Sequence, residues 1–187
     1  LPAACCRTGL RFGPVAASAC GLGTPSVPGR PHWSAFGHPE LPAPPVGLAL
    51  ASPVLRLREG ARTVAIDLTL GFLPAGQDGQ AIADQLQAFV SGEKGWLGPY
   101  PLHGELAAAK LTLGFAMAES EPAVVAYDPS LHGSAFATDA PIVQLLIRPE
   151  AADSYASLAR LRVDQAALRV TAKGGGGLGP GHSHGAL

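Results

Sequence analysis

The sequence predicts a mainly β fold, an antiparallel β-sandwich-like module with one or two short helices. The strongest observation is an unbroken alternation of apolar and polar residues over positions 62–72. One face of that segment carries Val64, Ile66, Leu68 and Leu70, and the other carries Thr63, Ala65, Asp67 and Thr69. A period of two is that of a strand with one buried face. The second observation is that five such segments are joined mostly by loops, which favours a sandwich over an α/β fold.

A β-hairpin is predicted around this strand. Residues 48–58 form the preceding strand, and the turn lies at Glu59-Gly60, because Gly accepts a positive φ. The side chains of Glu59 and Arg62 flank the turn. We interpret them as a cross-turn ion pair or a solvated tip rather than as a catalytic pair, and such an exposed pair contributes little to stability.

One helix and three further strands complete the predicted module. Ile82, Leu86 and Phe89 recur at helical intervals, which predicts a short amphipathic helix over residues 80–89. The strands are predicted within residues 106–117, 142–147 and 161–172. In the first of them one face carries Leu111, Leu113, Phe115 and Met117. Residues 142–147 are apolar on both faces except at Gln144, which is typical of a central strand. A short helix or turn is predicted over 151–159.

The amino-acid composition divides the chain into three predicted regions. Residues 46–172 are predicted to form the β-sandwich module, between a leader over 1–45 and a Gly-rich tail over 173–187. Gly and Pro number 24 and 18 in 187 residues and are frequent in both ends, so we expect the leader and tail to be disordered, extended or loosely attached. The cysteines Cys5, Cys6 and Cys20 lie in the leader and are interpreted as free thiols.

Several function classes are disfavoured by charge and motif content. A net charge of −1 provides no basic surface for nucleic acid. No apolar run reaches the roughly 18 residues of a membrane span, so membrane insertion is not expected. The sequence contains no phosphate-binding glycine motif and no nucleophile elbow. We therefore expect a protein that is not an enzyme and that holds no cofactor or stoichiometric metal.

The loop over residues 126–141 is the candidate functional segment, because it is long for a connection inside a compact domain. It carries Tyr127, Leu131 and Phe136, which a free loop would leave partly exposed. We predict these three residues and Trp96 to be interface residues. A carbohydrate platform formed by Trp96 and Tyr100 is the alternative to simple packing of those two rings.

Three polar residues of the same loop allow two interpretations. Asp128, His132 and Asp139 are residue types that ligate zinc or iron. The alternative is that the two aspartates form turns through Asx-type hydrogen bonds while His132 is exposed.

Three segments in one order resemble a known family. They are ASPVLRLREGARTV at 51–64, SGEKGW at 91–96, and PAVVAYDP at 122–129 followed by HG at 132–133 and TDAP at 138–141. Together they resemble the baseplate J-like proteins of phage-tail-like contractile injection systems, over about residues 46–172. After the last strand the family would continue with a Val-Arg-Asn-Leu-like segment, whereas this chain continues into a Gly-rich run.

The resemblance implies a structural role. The expected partners are other baseplate, hub or sheath subunits of the same assembly. The expected location is the cytoplasm on synthesis, and then a multi-subunit injection particle, released or membrane-docked. The alternative from another class is a carbohydrate- or surface-binding β-sandwich module.

Overall fold

The computed structural model describes residues 18–21, 33–36, 47–56, 60–133 and 136–172. Within these residues, two five-stranded antiparallel sheets form a sandwich-like arrangement, which confirms the predicted fold class. Sheet A has the strand order β1-β3-β9-β5-β6, and sheet B has the order β2-β10-β4-β8-β7. The strands are β1 Ser18–Gly21, β2 Trp33–Ser34, β3 Gly47–Ala51, β4 Arg62–Phe72, β5 Leu86–Gly92, β6 Gly95–Pro101, β7 His103–Ala107, β8 Lys110–Met117, β9 Ile142–Ile147 and β10 Arg162–Ala172. The described ranges contain three short α-helices, α1 Gly79–Asp84, α2 Pro129–His132 and α3 Tyr155–Leu158.

The main core lies between the two sheets. The predicted apolar row of β4 is buried there, with Ile66 0% exposed, as is the predicted row of β8. The facing side chains of sheet A are Leu48, Leu50, Leu86, Val90, Val143 and Leu145. The alternation seen in the sequence therefore predicted the core faces of β4 and β8.

The predicted hairpin over residues 48–72 is wrong. Strand β3 ends at Ala51 and pairs with β9 in sheet A, whereas β4 pairs with β8 and β10 in sheet B. After β3, the Ser52 side chain accepts a hydrogen bond from Val54 N (3.3 Å), and Pro53 begins a 3-10 turn over Pro53–Leu55. A proline without an N–H and a serine that caps the next turn end the strand. The chain then crosses from one sheet to the other.

The structure describes only one of the two charged residues that were predicted to flank the hairpin turn. Glu59 lies outside the described residues. Arg62 is only 2% exposed, so it is not part of a solvated tip.

The predicted helix over residues 80–89 is too long. Asp78 caps the N-terminus of α1 by accepting a hydrogen bond from Ala81 N (2.7 Å), but the helix ends at Asp84 and β5 begins at Leu86. Leu86, Ala88 and Val90 are buried at alternate positions, which is the period of a strand. Leu86 is compatible with both the helical period and the strand period. The segment that it begins is a strand because it pairs with β9 and β6.

Two strands lie in the segment predicted as a leader. Strand β1 pairs with β3, and β2 pairs with two residues of β10. Phe36, just after β2, is fully buried. Residues 18–21 and 33–36 of the predicted leader are thus in contact with the module, whereas the rest of the leader and the tail over 173–187 lie outside the described residues. Strand β7 was not predicted as separate from β8, whereas β9 lies at the centre of sheet A as predicted.

Asp67 ties the three central strands of sheet B together on their outer face. Its carboxylate accepts hydrogen bonds from Arg169 Nε (2.7 Å) and Nη2 (2.9 Å) of β10. Thr112 Oγ1 of β8 donates at 2.8 Å, and Lys110 Nζ lies 3.1 Å away. The hydrogen bond from Arg169, helped by those of Thr112 and Lys110, holds the pKa of Asp67 well below its usual range.

We expect Asp67→Asn to lower stability at neutral pH and to matter less in acid. Because the folded-state pKa of Asp67 is depressed, its contribution is complete above the unfolded pKa of about 3.9, declines below that value, and is lost only as the pH falls through the folded-state pKa. The expected loss at pH 7 is about 1 kcal/mol, since Arg169 and Lys110 are more than half exposed and screened. Urea unfolding at pH 7 and at about pH 2 measures it. The exposed Asp139→Asn is the control, and an equal loss for Asp67→Asn at both pH values would contradict the prediction.

Candidate functional site

The candidate site is the connection between β8 and β9, residues 118–141, which we name the anchored loop. Its described part lies across the outer face of sheet A. On β3, Ala49 and Ala51 alternate with the core residues Leu48 and Leu50, and they pack instead against Tyr127 and Phe136 of this loop. The loop thus covers an apolar surface on the side of sheet A that faces away from the main core.

Arg62 of β4 fixes the start of the anchored loop. Its guanidinium donates to the carbonyl oxygens of Glu121 (2.9 Å) and Pro122 (3.0 Å). The hydroxyl of Tyr100 donates to the Glu121 carboxylate at 2.5 Å. Burial, together with that carboxylate, raises the pKa of Tyr100 well above its usual range, so the hydroxyl keeps its proton and remains a donor.

Ser91 of β5 fixes the middle and the end of the loop. Its buried hydroxyl donates to Val125 O (2.7 Å) and accepts from Ile142 N (3.0 Å), at the first residue of β9. Its carbonyl accepts from Val125 N at 3.0 Å. Ser52 N adds a bond to Pro141 O at 3.0 Å. These hydrogen bonds satisfy buried backbone groups of the anchored loop, which forms no regular ladder of strand pairing there.

Helix α2 forms the outer part of the loop and begins at an Asx-type cap. Asp128 Oδ1 accepts from Ser130 N (2.8 Å) and from Ser130 Oγ (2.7 Å), as the turn interpretation predicted. The side-chain hydrogen bond from Ser130 lowers the pKa of Asp128.

His132 is buried, so the prediction that it would be exposed is wrong. Its Nε2 lies 2.9 Å from Gly92 O, and its Nδ1 lies 3.0 Å from Asp128 N. The neutral tautomer with the proton on Nε2 satisfies both contacts, since Nε2 donates and Nδ1 accepts. Trp96 Nε1 donates to His132 O at 3.0 Å. The ring of His132 therefore joins the loop to the β5–β6 hairpin.

The metal interpretation finds no support in the described ranges, where no three His, Cys, Asp or Glu side chains are grouped so as to hold an ion. Both ring nitrogens of His132 have backbone partners, and the carboxylate of Asp128 caps α2.

Tyr127 and Phe136 form an aromatic cluster with Trp96 and His132. The centroid of the Tyr127 ring lies 5.6 Å from that of Phe136 and 5.5 Å from that of His132. The Tyr127 hydroxyl donates to Gly133 O and accepts from Phe136 N (3.4 Å). Tyr127 is 4% and Phe136 6% exposed, so the expectation that both stay partly exposed is wrong. Their side chains fold back on sheet A, so little of either ring is exposed on this chain, and their role at an interface stays a prediction.

The predicted interface residues that reach the surface are Leu131 and part of Trp96. Leu131 is 49% exposed, and Trp96 is half-buried. The β5–β6 turn lies beside Leu131, since a Cβ placed on Gly95 would be 3.6 Å from its carbonyl oxygen. The surface formed by Leu131, the exposed part of Trp96, Glu93 and Lys94 is named the Leu131 patch.

Sequence reasoning missed the polar residues that hold the loop. Ser52 and Ser91 were included only in segments that show the resemblance, and Arg62 was interpreted as part of an exposed turn, yet all three are buried. Tyr100 is buried and stacks on Phe115 with centroids 5.2 Å apart, which agrees with the packing interpretation and not with the alternative of a carbohydrate platform formed with Trp96.

The fold and the site together define a mainly β, two-sheet protein with a surface loop anchored on one sheet. No protein-family model matches the chain, and no curated protein matches it. In the part of the chain that the structure describes, no helix has the length and apolar character needed to cross a bilayer.

Proposed function

We propose that this chain is a structural baseplate component of a phage-tail-like contractile injection system, and that it mediates contacts between subunits. One observation supports the proposal most. The three sequence segments that resemble baseplate J-like proteins lie in three different parts of the chain, and they interlock at the anchored loop.

The contacts among the segments are specific. Segment 51–64 supplies Ser52 and Arg62, which bond Pro141 O and the Glu121–Pro122 carbonyls at the two ends of the loop. Segment 91–96 supplies Ser91, Gly92 and Trp96, which bond the loop between those ends. Losing any one of these partners would leave a buried polar group unsatisfied, which costs about 1–3 kcal/mol. A shared three-dimensional constraint of this kind explains why three distant motifs occur together.

A role without catalysis accounts for the titratable groups with shifted pKa values. Asp67 binds Arg169, Tyr100 binds Glu121, and Asp128 caps α2. Each shift has a structural hydrogen bond as a cause, so no group needs a reaction to explain it. Among the described residues, we propose the Leu131 patch as the contact for a partner subunit, because an exposed leucine lies there beside a tryptophan on a firmly held loop.

Two tests address this proposal at different levels. The DNA that flanks the coding sequence should encode sheath, tube and spike proteins. Flanking genes with no such products would count against the baseplate function as a whole.

We expect Leu131→Glu in the full-length protein to prevent baseplate assembly while leaving the unfolding midpoint close to wild type. A charge at an exposed position costs the fold little, but it places an unpaired carboxylate in an apolar interface. Phe72→Glu is the matched control, because Phe72 is 52% exposed and lies on β4 of the other sheet. Electron microscopy of assembled particles gives the readout. Normal particles with Leu131→Glu, or equal loss with Phe72→Glu, would rule out the Leu131 patch as the contact.

A further inference from the structure

Strand β10 has a long open edge in sheet B. On one side it pairs with β4 along nearly its whole length. On the other side, within the described residues, only Arg162 and Val163 pair, with β2. The regular ladder with β4 runs from Gln165 to Ala172, and over these eight residues the far side of β10 has no neighbouring strand in the part of the chain that the structure describes. A row of N–H and C=O groups without a neighbouring strand is a template for another one.

The direction of the β10 backbone groups follows from the ladder. Leu70 N donates to Ala109 O, so even-numbered residues of β4 bond β8 and odd-numbered residues bond β10. The register places Asp67 opposite Ala167 and Ala65 opposite Arg169, so odd-numbered residues of β10 bond β4. The N–H and C=O groups of the even-numbered residues then point outward. Within the open edge these are Ala166, Leu168, Val170 and Ala172.

Two other sheet edges carry features that block strand addition, and β10 does not. Strand β6 contains Pro99 and Pro101, which have no N–H. On β7 the outward Gly104 N is already bonded to the side-chain oxygen of Gln80 (3.1 Å), and α1 packs against that strand. Residues 165–172 contain no proline, and their pairing with β4 has no register shift. Upstream of β2, Pro25, Pro28 and Pro31 have no N–H, and in the register of β2 Pro28 falls opposite the outward-facing Leu168, where a strand beside β10 would have to donate.

We propose that β10 pairs antiparallel with β10 of a second copy of this chain, across a two-fold axis at Leu168. The middle of the open edge, residues 165–172, falls at Leu168 and Arg169. Of these two, Leu168 belongs to the outward-facing set. An antiparallel strand centred there pairs each outward-facing residue with another outward-facing residue, as a hydrogen-bonded ladder requires.

The side chains fit the same register. On the core side, Leu168 faces its own copy and Ala166 faces Val170. On the outer side, Gln165 faces Thr171 and Ala167 faces Arg169, so no two like charges stand directly opposite. Each Arg169 is already neutralised by Asp67 of its own chain. Leu168 and Val170 are partly buried at the margin of the main core, and pairing would cover their remaining exposed surface. This self-pairing does not depend on the proposed function.

Sedimentation analysis of the purified full chain over a range of concentrations tests the pairing. A short strand edge is a small interface, so we expect a reversible dimer that dissociates on dilution. Leu168→Lys and Leu168→Glu should each be monomeric, because like charges meet at the axis. Mixed in equal amounts, the two variants should form a heterodimer at least about 10-fold tighter than either variant alone. Two results would overturn the proposal. One is a wild-type protein that stays monomeric at about 1 mM, a concentration at which even weak self-association is detected. The other is a mixture of the two variants that does not associate.

Val170→Pro provides a second test, which does not depend on how well Leu168 variants fold. It removes an outward N–H from each chain, so the dimer should weaken about 30-fold, the factor that two net hydrogen bonds give. Thr171→Pro is the control, since its N–H points to Thr63 of β4 and its loss should lower the unfolding midpoint instead. Dimerisation unaffected by Val170→Pro would also overturn the proposal.

Discussion

Ile66→Asp is expected to abolish folding. Ile66 lies in β4, the central strand of sheet B, and its side chain is fully buried between the two sheets. A carboxylate there would lie among apolar side chains with no partner for its charge. The cost of several kcal/mol is comparable with the whole stability of a domain, about 5–15 kcal/mol. Circular dichroism and urea unfolding of the purified variant are the measurements.

The control for this change lies three residues away on the same strand. Thr63 faces the outer side of sheet B and is exposed, so Thr63→Asp should shift the unfolding free energy by less than about 1 kcal/mol. A soluble Ile66→Asp protein with a cooperative transition near that of the wild type would show that β4 does not lie in the core as described.

The period of two predicted the core face of β4 and β8, because burial of one sheet face imposes that alternation on the sequence. It did not predict which strands are neighbours. Residues 48–58 and 62–72 are adjacent in the chain, yet β3 pairs with β9, a strand that begins only at Ile142. Pairing between distant segments depends on the whole arrangement of strands, whereas Ser52 and Pro53 provide only a local sign that the strand stops.

The candidate site was likewise predictable only in part. Length identified the loop, and Asp128 was predicted to form an Asx-type turn, which the structure confirms. The burial of Tyr127 was not predicted, although a signal exists in β3. The sequence GLALA is apolar at every position, so a second layer must cover the outer face of sheet A. The anchored loop is that layer, and this explains why its aromatic residues point inward.

Tyr127→Ala should therefore destabilise the isolated protein, contrary to what an exposed interface residue would do. Truncation removes a ring packed against Phe136 and His132 and leaves a cavity above sheet A, which costs about 3 kcal/mol or more. Tyr127→Phe keeps the ring and removes the hydroxyl that bonds Gly133 O and Phe136 N, so about 1 kcal/mol is expected. Leu131→Ala, at the exposed position on the same loop, should stay within about 0.5 kcal/mol of wild type. Urea unfolding of the three variants should find Tyr127→Ala the least stable, Tyr127→Phe intermediate and Leu131→Ala the most stable. If Tyr127→Ala were as stable as wild type while Leu131→Ala lost stability, the two side chains would have exchanged roles, and the loop would not be anchored through its aromatic face.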